Sequence, residues 1–236
     1  MSSQTNLPVR RRPKQSAKNS NFSLYLIGGV MLLLIVFVIA LNIWNSQPTV
    51  STKPLDIQTG WVDRNSIGNP DAKIVVEAYE DFLCPHCGEF TAQVEPRLFD
   101  EYVKTGKVRF VYRTFPLQGF EPGASIAANA AMCAADQGQF WQMHDQLFAS
   151  QNKGMSYYEP ENLAKTAAAL GMNSGQFTDC LNSLKYSSEI RQTSNDGIAL
   201  GVQGTPTIFV NGTLLSNGAD YTALKAELDR LLATAG

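Results

Sequence analysis

A chain of 236 residues with 44% hydrophobic composition can bury one sizeable core, and its length admits one or two domains. The formal charge of −2 hides an asymmetry: the first twenty residues hold Arg10, Arg11, Arg12, Lys14 and Lys18, and the first acid is Asp56. Beyond that tail, 14 basic residues face 21 acidic ones, which leaves no basic face for phosphates and excludes nucleic acid as a partner.

After the cationic tail (1–23), residues 24–44 (LYLIGGVMLLLIVFVIALNIW) carry no charge. A run of this length is enough for a ~30 Å hydrocarbon core and exceeds the roughly 7–15 apolar residues of a cleaved signal peptide. No A-x-A site follows it, so an uncleaved single-pass anchor is expected. Cations before the span and none close behind it put the N-terminus in the cytoplasm and the rest of the chain outside. A polar linker (45–55) then leads to a folded unit expected over 56–234.

Within that unit, residues 73–79 (KIVVEAY) are apolar and β-branched and predict a buried strand. Residues 85–104 have helical spacing through Phe90, Val94, Leu98 and Val103, with a kink expected at Pro96. A second strand is expected over 108–115 (VRFVYRTF), ended by Pro116. From about 118 to 200 the text is Ala-rich and helical, with Gly171 as a stop and Asn173–Ser174 as a fresh cap. TIFV, Asn211–Gly212 and TLLS read as a hairpin, and 221–232 as a closing amphipathic helix. The order predicts an α/β sheet with an all-helical insertion.

Chemistry concentrates at Cys84-Pro85-His86-Cys87, which opens a helix directly after a strand. A C-x-x-C pair is also half of a zinc site, but Cys133, Cys180, His86 and His144 supply no second close pair, and no metal is expected. Two inert structural cysteines are the other alternative. Cys84 at a helix N-terminus faces unpaired N–H groups and the positive end of the dipole, both of which favour thiolate. Pro85 suits the first turn, where its missing N–H would be unpaired anyway. Cys87, one turn on, points inward, which makes Cys84 the attacking sulfur and Cys87 the resolving one; with Pro85 and His86 between them, the His86 imidazole is expected over the Cys84 thiolate as a further catalytic group.

FLCPHCGEF (82–90) resembles the active site of DsbA-like oxidases, and GVQGTPTIFVNG (201–212) resembles the cis-proline loop of the thioredoxin superfamily. Together with the helical insertion, the resemblance spans about 56–232. It implies a thioredoxin fold with an inserted all-helical subdomain, preceded here by one transmembrane helix, as in tethered bacterial members of the family. It also implies a cis Thr205–Pro206 bond beside Cys84, where the backbone at Thr205 pairs with an extended substrate strand. Taken alone, Pro206 reads as an ordinary strand-start proline. The sequence departs from the pattern at Ala78, where such proteins commonly carry a buried acid. Glu80 lies on the same face of an extended strand, either as a substitute proton relay or as a solvated strand-end charge. Outside the cytoplasm, Cys133 and Cys180 are expected to form a structural disulfide, as relatives do at similar positions. The alternative is two buried thiols acting as apolar fillers. His144, among aromatics, reads as a structural histidine.

The resemblance implies an extracytoplasmic enzyme of the bacterial membrane that oxidises cysteine pairs in exported proteins. Its only redox group is the Cys84–Cys87 pair, without a cofactor. It would be reoxidised by a quinone-linked membrane partner, either DsbB-like or vitamin K epoxide reductase-like. A reductase or isomerase, and a chaperone-like module that grips unfolded chains near Pro206, are the competing readings.

Overall fold

The computed structural model describes residues 21–45, 56–58 and 60–235. Two units are present, Met1–Gln47 and Pro48–Gly236. The first contains helix α1 (Asn21–Asn45), whose side chains are described over 25–39 and are all exposed there. Among the described residues no helix is long and apolar enough to cross a membrane. The described side chains of α1 account for about 22 Å of helix, against a core of about 30 Å. The tail 1–20, the linker 46–55, and the side chains at 24 and 40–44 of the expected span lie outside the described residues.

The second unit is built on a six-stranded sheet. In chain order the strands are β1 (Val62–Asp63), β2 (Ser66–Ile67), β3 (Ile74–Glu80), β4 (Val108–Thr114), β5 (Thr207–Val210) and β6 (Thr213–Leu214). They lie side by side as β1-β2-β4-β3-β5-β6, with only β3 and β4 parallel. Alternation along β3 sorts its side chains by face. Ile74, Val76 and Ala78 join the main core, whereas Tyr79 packs on the opposite face with Phe115, Val202 and Phe209.

The helical segment after β3 breaks as Pro96 requires. Helix α2 (Pro85–Gln93) ends at Val94, α3 (Glu95–Leu98) follows, and a π-helical turn (Phe99–Val103) closes the segment. The insertion supplies α4 (Gly123–Ala135), α5 (Phe140–Ala149), α6 (Pro160–Ala169), α7 (Ser174–Asn182) and α8 (Ser187–Ala199). Asn173 caps α7 by accepting from the Gln176 N–H, and Gly171 takes the left-handed φ of +79° that ends α6. In the closing hairpin, Asn211 (φ 49°) and Gly212 (φ 75°) form the tight turn, and the second strand is shorter than TLLS suggests. Helix α9 (Tyr221–Ala235) ends the unit. The β1–β2 hairpin has no counterpart in the sequence reading: two-residue strands show no alternation, and Arg64 turns the chain at φ 49° without a glycine.

Candidate active site

The link from β3 to α2 is a tight turn held from three sides. Asp81 sits at the strand end with its carboxylate buried. Oδ1 accepts from the Leu83 N–H at 2.8 Å, an Asx turn, and Oδ2 from the Leu117 N–H at 2.7 Å. The Cys84 N–H then donates to the Asp81 carbonyl at 3.0 Å. From the insertion, the Gln151 side-chain amide donates to the carbonyls of Phe82 (2.8 Å) and Cys84 (2.9 Å). Gly88 lets this residue approach, because a Cβ there would collide with the Gln151 Oε1. Cys84 is thereby fixed as the N-cap of α2, with extended backbone (φ −73°, ψ 121°) and Pro85 in the first turn.

Both cysteines are in the thiol form, Cys84 5% exposed and Cys87 0%. The Thr205–Pro206 bond is cis and brings the Thr205 carbonyl to 3.4 Å from Cys84 Sγ, which donates to it. Four donors surround the Cys84 sulfur. The Cys87 thiol lowers its pKa most. Burial opposes this, and the Thr205 hydroxyl and the backbone N–H groups of Cys87 and His86 lower it further, to about 5. The Thr205 hydroxyl acts on both sulfurs, lowering the pKa of Cys87 as well as that of Cys84. Cys87 moves the opposite way. Its burial, its role as donor to Cys84 and the charge of Glu80 push its thiol well above the ordinary range.

The structure alters what is expected of His86. Its imidazole lies 3.3 Å from Glu89 Oε2 with the side chain 77% exposed, so only its backbone N–H serves the sulfur. Beside it, a groove of about 420 Å³ runs between α2 and the cis-proline loop, lined by His86, Glu89, Phe90, Thr205 and Pro206 among others.

Glu80 is buried at 1% exposure rather than solvated, and neither carboxyl oxygen has a protein partner among the described residues. Burial, with the charges of Glu95 and Cys84, holds its pKa well above the carboxylate range. Ala78 is fully buried. Sequence reasoning missed Asp81, whose pKa burial pushes up to about 6, as well as Gln151 and Glu95. Asp81 three residues before a helix N-cap was a readable Asx-turn signal, whereas the other two contacts cross from one part of the fold to another. His144 is fully buried within a cage of rings from Phe82, Tyr112, Phe140, Trp141 and Phe148. Cys133 on α4 and Cys180 on α7 are joined as a disulfide, S–S 2.02 Å. Among the described residues no group of His, Cys, Asp and Glu is placed to hold a metal ion.

Residues 62–230 match the thioredoxin family, and that match covers most of the chain. The chain belongs to the thioredoxin family. It is 28% identical over 219 residues to a probable disulfide bond formation protein D of Bacillus anthracis, covering 92% of this chain and 98% of that one. The reduced disulfide bond oxidoreductase DsbG of Mycobacterium tuberculosis is 30% identical, with TM-score 0.56 over 78% of this chain and 86% of its own. Oxidised BdbD of Bacillus subtilis shares the fold at 23% identity, with TM-score 0.64 over 74% and 95% of the two chains. With a paired C-x-x-C at the head of α2, the chain is a thiol:disulfide oxidoreductase.

Proposed function

We propose that this protein is a dithiol oxidase, held at the outer face of a bacterial cytoplasmic membrane by residues 24–44, that introduces disulfides into exported proteins. The observation that carries the direction is the opposite displacement of the two thiols, Cys84 down to about 5 and Cys87 well up. Stabilising the Cys84 thiolate stabilises the reduced enzyme, so the Cys84–Cys87 disulfide gives up its oxidation readily.

A substrate thiolate attacks Cys84 Sγ, the Cys84–Cys87 bond breaks, and Cys87 leaves as a thiolate that takes a proton. A second substrate thiolate then attacks the substrate sulfur of the mixed disulfide, and Cys84 leaves as the stabilised thiolate. The substrate is now oxidised and the enzyme reduced. Glu80, whose burial raises its pKa and whose charge is felt at Cys87, is suited to give Cys87 its proton. The groove beside Pro206 suits an extended client segment. Reoxidation falls to a quinone-linked membrane partner, DsbB-like or vitamin K epoxide reductase-like. The anchor is supported by the charge-free run over 24–44 and by the exposure of every described side chain of α1, an arrangement that suits lipid rather than water.

Two experiments test this reading. In cells, Cys87→Ser should accumulate mixed disulfides between Cys84 and exported proteins, and their absence would refute the assignment of the two sulfurs. Protease added to intact spheroplasts should degrade the domain, and protection until lysis would refute the topology.

A further inference from the structure

Behind Cys87 lies a set of buried polar groups that the exchange chemistry above leaves unused. Glu95 is 3% exposed and His144 0%. His144 Nε2 is 3.7 Å from Glu95 Oε1, and its Nδ1 is 2.9 Å from Asp145 Oδ1. Asp145 is the member that reaches the surface, with its side chain 15% exposed. Six side-chain atoms in this region have no hydrogen-bond partner among the described residues: both Glu80 carboxyl oxygens, Glu95 Oε1, Tyr112 Oη, Trp141 Nε1 and His144 Nε2.

These atoms come from four elements that converge on one place. Tyr112 is paired with Ala78 across the β3–β4 ladder, which makes it a diagonal neighbour of Glu80. Its ring and that of Trp141 lie 5.2 and 5.1 Å from the His144 ring. The charge of Glu95 is felt at Glu80, and that of Glu80 at Cys87. Buried polar atoms of native proteins almost always have a partner, in the protein or in an internal water with two to four polar neighbours. Internal waters of that kind would join these six atoms into one hydrogen-bonded path.

We propose that Glu95 and His144 pass protons between Glu80 and Asp145, so that the helical insertion supplies the proton Cys87 gains and loses in each turnover. The proposal rests on the reading that Glu80 serves Cys87. When Cys87 leaves as a thiolate, it takes a proton from the Glu80 carboxyl, which is refilled from Glu95 and ultimately from solvent at Asp145. On reoxidation the Cys84 thiolate attacks the disulfide of the oxidising partner and one partner sulfur leaves as a thiolate; Cys87, returning its proton along the same path, then attacks Cys84 Sγ in that mixed disulfide, and the second partner sulfur leaves with the electron pair. Bulk water does not reach Cys87 or Glu80 directly, at 0% and 1% exposed. The ionisable groups facing this path are Glu80 and Asp81 from β3 and its end, Cys84 and Cys87 from α2 and its cap, Glu95 from α3, Tyr112 from β4, and His144 and Asp145 from α5.

The test uses the full-length chain in detergent micelles, with Glu95→Gln and Asp145→Asn as near-isosteric variants. Reduction of the oxidised enzyme by dithiothreitol and its reoxidation by glutathione disulfide are followed by rapid mixing across the pH range, together with Cys84 thiolate absorbance and thermal melting. Glu95→Gln should slow both reactions on the order of 10-fold, a modest share of what positioned proton transfer supplies. It should also displace the pH midpoint while the Cys84 absorbance titration stays where it is. Asp145→Asn should displace the midpoint in the same direction by less. Pairing of purely structural origin would alter melting and leave the pH profile in place. Profiles of both variants that superimpose on the parent's overturn the relay. If Glu95→Gln does not fold, Asp145→Asn at the surface end decides alone. A parent chain that fails to exchange disulfides would overturn the redox reading itself, an outcome distinct from superimposed profiles.

Discussion

The reduction potential should carry the signature of one sulfur, Cys84, whose thiol falls from its ordinary 9.0 to about 5. A depressed folded-state pKa stabilises the reduced form fully above the unfolded value near 9 and loses that contribution as pH falls through 5. At pH 7 about half the displacement is expressed, roughly 2.7 kcal/mol before solvent screening at the open side of the sulfur trims it to about 1–2.5. Thioredoxin, with an attacking thiol near 7 and a potential of about −270 mV, is the natural reference. Moving that thiol to about 5 adds at most about 2.3 kcal/mol at pH 7, or about 50 mV, and reaches roughly −220 mV. The remaining ~100 mV to the roughly −120 mV of DsbA would require further thiolate stabilisation. The expected potential therefore lies between about −220 and −120 mV, set by equilibration with glutathione. Its pH dependence should break near pH 5. Below the break both sulfurs take up a proton on reduction, giving a slope of about 59 mV per pH unit, and above it only Cys87 does, giving about 30 mV. A steep slope persisting to pH 7 would refute the stabilised thiolate. A potential below about −230 mV would refute the oxidase direction and favour a reductase.

Cys87→Ala should raise the Cys84 pKa, read from thiolate absorbance, because the Cys87 thiol is the largest single stabiliser of that sulfur; an unchanged titration would remove the hydrogen-bond account. His86→Pro, which deletes the backbone N–H, should raise it more than His86→Gly, which keeps the donor and loses only the imidazole. Equal shifts would return the effect to the ring. Gln151→Ala orphans the Phe82 carbonyl and should cost about 1–3 kcal/mol in thermal or denaturant unfolding. An unchanged midpoint would mean that the insertion does not brace the cysteine loop. Mass mapping should find a Cys133–Cys180 peptide that survives reduction mild enough to open Cys84–Cys87. Closing 47 residues should add about 4 kcal/mol to stability, so Cys133→Ser with Cys180→Ser should melt markedly lower.

The strands that build the sheet centre were legible from their text, KIVVEAY being apolar and β-branched and VRFVYRTF alternating, and the structure buries one face of each and half-buries much of the other. Local punctuation was equally readable. Pro96 breaks the active-site helix, Asn173 caps α7, and Asn211–Gly212 turns the last hairpin, each through chemistry confined to a few neighbouring residues. Read from its own residues the site was legible only where its parts are contiguous, and Thr205–Pro206 came from the resemblance. Cys84, Pro85 and Cys87 declare themselves within one helical turn, but Gln151 reaches the loop across 67 residues of sequence, and nothing local distinguishes it from a surface glutamine. The turn of the His86 ring toward Glu89 is an i, i+3 preference on an exposed helix face that a C-P-H-C pattern does not display.

The shift of the buried acid from 78 to 80 has a steric origin in the ladder. Ala78 stands between Tyr112 on β4 and Ile208 on β5 and is fully buried. Tyr112 in turn stacks on Phe82 with ring centroids 4.9 Å apart, so the space over residue 78 is filled by a ring that the cysteine loop itself needs. A carboxylate at 78 would have to displace that ring or lie unsolvated against it, at a cost of several kcal/mol. Two residues on, the same face is kept, the cross-strand neighbour is the smaller Thr114, and the side chain still reaches Cys87 electrostatically. The acid therefore sits where β3 ends and α2 begins, within range of Glu95 after the break at Val94. In this chain the helix break at Pro96 and the displaced acid are two parts of one arrangement: the first brings a second carboxyl inward, and the second gives it a partner.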